Sequence, residues 1–200
     1  MPDDRDLEQL RRAVLEIVLE KGYQRRDEPF ELASGELSHD FVDGKAALAR
    51  GDDLALACRA ILAAAAEHHV EFDAVGGLTM GADQFAHGVA VLSGCSWFVV
   101  RKQAKGRGTD RRIEGHPLHE GVRVLLVDDV VTTGGSIQQA YHQVAQTGAT
   151  VVFATTLVDR GDVASRFFQE LSVPYEPLLT YRDLDIPPVG GGRDLAESAR

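Results

Sequence analysis

Apolar residues recur along most of the chain, and their spacing alternates between that of a helix and that of a strand. Residues 4–21 place Leu7, Leu10 and Val14 on one helical face, and Gly22 ends the predicted helix. The same spacing predicts further helices at 52–69, 82–93, 136–148 and 162–171. Short continuous apolar runs predict strands at 74–78, 97–100, 122–127, 150–158 and 175–180.

Two other stretches have a different pattern. Residues 30–44 alternate weakly around Gly35, which predicts two short strands joined by a turn. Residues 102–121 are polar and dotted with glycine, which predicts a loop.

Continuous apolar strands that alternate with helices favour an α/β fold with a mostly parallel central sheet flanked by helices. The length of 200 residues suits one domain, and we find no internal repeat. In such sheets ligands bind beyond the carboxyl ends of the strands. The segments after 74–78, 97–100 and 122–127 are therefore the candidate binding loops.

Charge and composition narrow the classes of function. The net charge of −10 argues against nucleic-acid and membrane-surface partners, because both require a positive surface. The chain contains no apolar run of about 18 residues, and its acidic start is unlike a signal peptide. Two cysteines that do not form a CxxC pair indicate reduced thiols, so we expect a cytoplasmic protein.

The most informative stretch is VLLVDDVVTTGGS, residues 124–136. We expect the strand to end at Val127, so that Asp128 and Asp129 follow it directly. Neighbouring carboxylates near a buried strand are costly unless they bind something, and vicinal hydroxyls suit them. The TTGGS turn before a helix offers backbone N–H groups and hydroxyls that suit a phosphate. A carboxylate pair and a phosphate site one ribose apart predict a ribose 5-phosphate site. The alternative without function is a strand end with solvated aspartates and a serine that caps the next helix.

A basic segment, RKQAKGRGTDRR, covers residues 101–112. It carries six cations against one aspartate in an acidic chain. A loop of this kind can close over a polyanion, exclude water and stabilise a leaving group that gains charge. A solvated surface loop is the alternative interpretation.

The stretch 124–136 resembles the phosphoribosyl-pyrophosphate (PRPP) motif of the type I phosphoribosyltransferases. Residues 101–115 resemble the catalytic loop of the orotate phosphoribosyltransferase family, and LASGELSHDFVD at 32–43 resembles its N-terminal segment. AVGGLTMGADQFA at 74–86 lies where that family has its pyrophosphate loop, and LVDRGD at 157–162 where it has an orotate-binding arginine.

The resemblance implies the type I phosphoribosyltransferase fold and the transfer of a phosphoribosyl group from PRPP to orotate. It implies a single domain with a hood of about 1–45 plus the C-terminal part and a core of about 52–172. The Pro- and Gly-rich composition of residues 187–200 independently predicts a loose tail. The resemblance also implies Mg²⁺ carried by PRPP with no direct protein ligand, contacting Asp128 and Asp129 through water, and a homodimer in which loop 102–114 reaches the neighbouring subunit.

Site residues carry over from the family position by position. The implied catalytic residues are Lys105, Lys102, Asp128 and Asp129. The implied PRPP-binding residues are Arg101, Lys102, Lys105, Arg107, Asp128, Asp129, Val130, Val131, Thr132, Thr133, Gly134, Gly135 and Ser136. The implied orotate-binding residues are Thr132, Arg160 and Phe41. A surface salt bridge is the alternative role for Arg160.

Two positions depart from the family pattern. Ala33 stands where many members have lysine, and Lys45 is the candidate to supply the missing charge. Arg107 stands where histidine is usual, and arginine keeps the charge but gives up no proton near neutral pH. These departures keep transfer to another base open. A PRPP-sensing regulator without turnover is a separate alternative, and the intact pair Lys102 and Lys105 favours catalysis over it.

Overall fold

A computed structural model describes residues 6–32, 35–103 and 112–189. Its strands are β1 Tyr23–Glu31, β2 Leu37–Val42, β3 Ala74–Leu78, β4 Ser96–Val100, β5 Ile113–Gly115, β6 Arg123–Val131, β7 Thr150–Asp159 and β8 Leu179–Thr180. Its helices are α1 Leu7–Ile17, α2 Gly44–Ala47, α3 Gly51–Glu67, α4 Asp83–Ser93, α5 Gly135–Ala145 and α6 Val163–Glu170. A π-helical segment, Val18–Gly22, continues α1.

Six strands form the central sheet in the order β5-β4-β3-β6-β7-β8. Within this sheet β5 pairs antiparallel with β4, and the other pairs are parallel. The strands β1 and β2 form a separate antiparallel sheet. The expected α/β fold with a mostly parallel sheet is confirmed.

Helices cover both faces of the central sheet. On one face α1, α3 and α4 bury Val14, Ile61 and Phe85 against residues such as Phe153 of β7. On the other face α5 and α6 bury Ile137 and Phe168. Coverage on both faces explains why the strands read as continuous apolar runs rather than as alternating ones.

The structure differs from the sequence predictions at the edges of elements. Strand β5 lies inside the stretch expected to be a loop, where it pairs with β4. Strand β1 begins at Tyr23, several residues earlier than expected, and the residues near its bend pair irregularly with β2. Val189, which we expected in a loose tail, is buried, and its N–H group donates to the Arg160 carbonyl at 2.7 Å. Residues 190–200 of that tail lie outside the described residues, and the boundaries of the hood stay a prediction.

The strand that leads into the carboxylate pair is longer than predicted. Strand β6 does not end at Val127 but continues to Val131, because Val130 and Val131 pair with Val158 and Asp159 of β7. Asp128 and Asp129 therefore belong to the strand itself, where the pleat sends their side chains in different directions. In the described part of the chain, no helix has the length and apolar character needed to cross a bilayer.

Candidate active site

A cleft of about 170 Å³ opens at the carboxyl ends of the central strands. Its lining comes from four parts of the chain: α2, the β3–α4 loop, the segment after β4, and the region from β6 to α5. The lining residues are Lys45, Leu78, Thr79, Met80, Gly81, Lys102, Asp128, Asp129 and Ser136. The space between the end of β6 and the start of α5 is thus open, and its polar side chains face the cleft.

The two carboxylates are held by the backbone around them. The Asp129 N–H group donates to Asp128 Oδ1 at 3.0 Å, and the Val130 N–H group donates to Asp129 Oδ1 at 2.8 Å. Thr156 of β7 donates its hydroxyl to the Asp129 carbonyl at 2.8 Å. The pair is therefore oriented before any ligand arrives, which is what ligand-binding carboxylates require.

Burial and charge act strongly on Asp128, whose exposed fraction is 3%. Burial, and next the neighbouring Asp129 carboxylate, raise the pKa of Asp128 to about 7. The Lys45 ammonium opposes this shift. A buried carboxyl of raised pKa in a cleft is typical of residues kept for function rather than for stability.

The turn after β6 leads directly into α5. Gly134 adopts φ +74°, a left-handed conformation that suits glycine, and α5 begins at Gly135. Thr133, Gly135 and Ser136 are exposed. The first N–H groups of α5 have no partner within the helix, so this turn presents donors and a positive dipole end to an anion.

The β3–α4 loop packs directly against the two carboxylates of β6. A Cβ atom on Gly81 would lie 2.6 Å from Asp128 Oδ1 and 2.6 Å from Asp129 Oδ1. Only a residue without a side chain fits there. Thr79 of the same loop donates its hydroxyl to Asp83 Oδ2 at 2.8 Å, which ties the loop to the start of α4.

The basic segment is described only at its two ends. Lys102 lines the cleft, and its carbonyl accepts a hydrogen bond from Gln139 of α5 at 3.2 Å. Arg101 forms an ion pair with Glu114 of β5 at 2.8 Å. Lys105 and Arg107 lie outside the described residues, as does Ala33.

Arg160 lies at the end of β7, next to the end of β6. Its N–H group donates to the Val131 carbonyl at 2.8 Å, which brings Arg160 beside Thr132. Its guanidinium is 1% exposed and donates to the Asp40 carbonyl at 2.9 Å, so the surface salt bridge considered from the sequence is wrong. Burial lowers its pKa, and its Nε atom is buried without a hydrogen-bond partner among the described residues.

Phe41 does not share the face of β2 that meets Arg160. Ser38 and Asp40 of β2 are buried toward Arg160, whereas Phe41 is offset by one residue and packs on Phe30, with ring centroids 5.5 Å apart. Arg26 lies over both aromatic rings. The predicted contact between the Phe41 side chain and orotate gains no support from this arrangement.

The sequence suggested Lys45 only as a substitute for the lysine missing at position 33 and gave it no partner. Lys45 of α2 forms an ion pair with Asp129, although 84 residues separate them in the chain. Burial lowers the pKa of Lys45, but the hydrogen bond to Asp129 and the charges of Asp129, Asp43 and Asp128 together outweigh it and raise the pKa.

The arrangement suits one kind of ligand. An anion fits the start of α5, hydroxyl groups fit the carboxylates, and a second anion fits the side of the cleft near Lys102. A sugar that carries a phosphate at one end and a charged leaving group at the other meets these requirements.

Comparison with known proteins agrees with this geometry. The family profile described as "Phosphoribosyl transferase domain" matches residues 46–166 of the chain. The fold, the cleft and this match together define the class as a phosphoribosyltransferase.

More specific relatives share most of the chain. An orotate phosphoribosyltransferase of Nostoc sp. is 35% identical and covers 92% of this chain and 89% of its own. One of Streptomyces coelicolor is 42% identical, covering 72% of this chain and 81% of its own. The chain belongs to the orotate phosphoribosyltransferase family.

Solved structures give the same result. A Mycobacterium tuberculosis orotate phosphoribosyltransferase in complex with PRPP superposes with a TM-score of 0.73 at 32% identity, covering 88% of this chain and 99% of its own. An Aeropyrum pernix orotate phosphoribosyltransferase superposes with a TM-score of 0.75 at 28% identity, covering 86% of this chain and 96% of its own. A Leishmania donovani adenine phosphoribosyltransferase, at 15% identity and a TM-score of 0.63, shares the fold alone.

Proposed function

We propose that the protein transfers the 5-phosphoribosyl group of PRPP to orotate and releases pyrophosphate and orotidine 5′-monophosphate, a step of pyrimidine biosynthesis. The observation that carries this proposal is the single cleft shared by Asp128, Asp129 and the start of α5 at Ser136. The family relationship supplies the substrates.

The roles of the cleft residues follow from their chemistry. Asp128 and Asp129 accept hydrogen bonds from the ribose hydroxyls. The backbone N–H groups and hydroxyls of the turn after β6 hold the 5-phosphate, through Val130, Val131, Thr132, Thr133, Gly134, Gly135 and Ser136.

The basic segment serves the leaving group. The bond between N1 of orotate and the anomeric carbon forms while the bond from that carbon to the pyrophosphate oxygen breaks. The ribose ring gains oxocarbenium-like charge, the pyrophosphate takes the electron pair of the breaking bond, and the N1 proton of orotate passes to the departing pyrophosphate. Arg101, Lys102, Lys105 and Arg107 stabilise the charge that develops on the pyrophosphate. For Arg101 this requires exchange of its present partner, Glu114.

Arg160 and Thr132 are the residues proposed for the orotate end. The planar guanidinium of Arg160 matches a carboxylate, and its unpaired Nε atom retains a donor for one. The neighbouring end of β6 places Thr132 at the same edge of the sheet.

Magnesium fits this cleft only together with the substrate. Among the described residues, no three side chains of the types His, Cys, Asp and Glu gather into a metal site. Mg²⁺ is commonly held by one or two carboxylates together with substrate phosphates, and Asp128 and Asp129 can contact its hydration shell. When bound, the ion would neutralise charge on the pyrophosphate.

A homodimer is the proposed assembly. Between α3 and α4 lies an apolar groove of about 410 Å³ whose lining includes Leu54, Val91 and Leu92. Val91 is 84% exposed, an unusual position for an aliphatic residue beside other apolar ones. The Val91→Asp variant should sediment as a monomer, whereas Leu171→Asp, which changes an exposed leucine beyond α6, should not.

The reach of loop 102–114 into the partner subunit can be tested by subunit mixing. Lys105→Ala and Asp128→Asn dimers are each expected to have strongly reduced activity. If the loop acts across the dimer, hybrid dimers contain one intact site and regain activity. A mixture with no more activity than its components would contradict the exchange.

The expected cytoplasmic location also stays a prediction.

The activity itself is tested by the absorbance change of orotate in the presence of PRPP and Mg²⁺. We expect orotate to be consumed in proportion to the pyrophosphate released. Ala33 and Arg107 depart from the family pattern, so a panel of other bases is measured in parallel. Turnover with another base alone would favour that substrate, and PRPP binding without pyrophosphate release from any base would favour a sensor.

A further inference from the structure

Lys45 places a positive charge directly beside the carboxylate pair of the cleft. Its Nζ atom donates to Asp129 Oδ2, while Asp129 Oδ1 accepts from the Val130 N–H group. Lys45 is about half exposed and its partner Asp129 has a side-chain exposed fraction of 14%, so the pair lies at the edge of the cleft rather than in open solvent.

The backbone around Lys45 holds it close to the carboxylates. A Cβ atom on Gly44 would lie 3.1 Å from Leu157 Cδ2 and 3.3 Å from Asp129 Cβ, so α2 packs closely against β6 and β7. The Asp43 side chain accepts from the Lys45 and Ala46 N–H groups at 3.0 Å each and fixes the start of α2. The lysine therefore reaches Asp129 from a fixed base.

The charge of the cleft explains why a cation is needed there. PRPP is a polyanion, and Asp128 and Asp129 would repel its phosphates even while they accept hydrogen bonds from its ribose. One ammonium group next to Asp129 offsets this repulsion. It binds Oδ2, so the hydrogen bond from Val130 to Oδ1 and the geometry of the cleft are kept. Gly81 closes over the same carboxylates from the other side, so little other space is available for a compensating side chain.

We propose that Lys45 is a positioning residue that neutralises and orients Asp129 so that the acidic pair accepts the ribose of an anionic sugar phosphate. This inference deepens the proposed function and rests on it. It assigns Lys45 to the sugar end of PRPP and not to the pyrophosphate end.

The test compares Lys45→Met and Lys45→Arg with a matched control, Lys21→Met. Lys21 forms an ion pair with Asp53 at 2.7 Å, and its exposed fraction of 32% resembles the 48% of Lys45, but it lies away from the cleft. Calorimetry with ribose 5-phosphate, with PRPP and with pyrophosphate measures binding without any need for turnover. Steady-state kinetics then separates KM from kcat.

We expect Lys45→Met to bind ribose 5-phosphate and PRPP roughly tenfold more weakly and to bind pyrophosphate as the unmodified protein does. Its KM for PRPP should rise by a similar factor while kcat changes by less than about threefold. Lys45→Arg should restore most of the affinity, and Lys21→Met should behave like the unmodified protein.

Three outcomes would overturn the assignment of Lys45. The first is an unchanged affinity of Lys45→Met for ribose 5-phosphate. The second is a tighter affinity for it, which would mean that Lys45 blocks the cleft until the ligand displaces it. The third is a loss of affinity for pyrophosphate alone. If the unmodified protein binds PRPP but does not convert orotate, only the choice of reaction fails and the Lys45 comparison still stands. If it binds neither ribose 5-phosphate nor PRPP, both proposals fail.

Discussion

Gly81 lies directly against Asp128: a Cβ atom at position 81 would be 2.6 Å from Asp128 Oδ1. Contacts under about 3 Å force neighbouring atoms to move, and here both neighbours are carboxylate oxygens held by backbone N–H groups. The β3–α4 loop and the carboxylate pair therefore form one rigid wall of the cleft.

The first prediction concerns that wall. Gly81→Ala should lower kcat/KM for PRPP by about 10²-fold, because the added methyl group displaces the carboxylates from their ligand positions. Kinetics with varied PRPP measures the effect, and circular dichroism checks the fold. Gly51→Ala is the control, since no atom of the described residues lies within 4 Å of a Cβ there. Because Gly51 lines the groove between α3 and α4, sedimentation checks that this control keeps its assembly. Equal activity of the two variants would show that the added methyl group does not disturb the carboxylates.

The second prediction concerns the pH dependence of stability. The folded-state pKa of Asp128 is raised by burial and by Asp129, so the folded protein binds more protons than the unfolded chain between about pH 4 and 7. Stability should therefore fall as the pH rises through this window. Asp128→Asn removes this dependence and should be more stable than the unmodified protein at pH 8, by on the order of 1 kcal/mol, while losing activity.

Urea unfolding of both proteins at pH 5 and pH 8 measures this difference. The amide that Asp128→Asn introduces can still accept the hydrogen bond from the Asp129 N–H group, so the local geometry is retained. A difference in stability that is the same at both pH values would show that Asp128 is not the titrating group.

The third prediction concerns the basic segment. Lys105→Ala should lower kcat by roughly 10²–10³, the size expected when one donor to a developing negative charge is removed. Arg50→Ala removes an exposed cation paired with Asp52 and controls for the change in net charge. Single-turnover kinetics with saturating PRPP and orotate isolates the chemical step. An unchanged rate would exclude Lys105 from it.

The fourth prediction concerns the base. Arg160→Lys should raise KM for orotate about tenfold or more and leave KM for PRPP nearly unchanged, because lysine lacks the planar fork that matches a carboxylate. Ser38→Ala tests whether the effect is only structural, since Ser38 is a neighbour of the same guanidinium at 3.5 Å. Parallel rises in both KM values would point to a damaged fold rather than to orotate binding.

The central sheet was predictable because its strands are buried on both faces, so their apolar runs are visible without any knowledge of the partners. Strand β5 was not, because Ile113–Gly115 is short and depends wholly on pairing with β4. The end of β6 was also misplaced. Two aspartates suggested a loop, but pairing of Val130 and Val131 with β7 outweighs their local preference.

The same distinction applies to the site. The turn around Gly134 could be recognised because its chemistry is contiguous in sequence. The pairing of Lys45 with Asp129 could not, because it depends on how closely α2 packs on the sheet. The burial of Arg160 beneath β2 was missed for the same reason, since no local pattern reports which strand will cover a residue.

The pairing of β4 with β5 has a consequence for the basic segment. The Arg101 N–H group donates to the Arg112 carbonyl at 2.7 Å, so the segment leaves the sheet and returns to it at nearly the same point. The pairing of β4 with β5 holds these two ends in register by itself, so we expect that the length and composition of the sequence between them can be altered without shifting any strand. A variant in which a tight two-residue turn replaces the residues between Arg101 and Arg112 should keep the sheet and the sugar site. It would therefore separate binding of the substrate from its conversion.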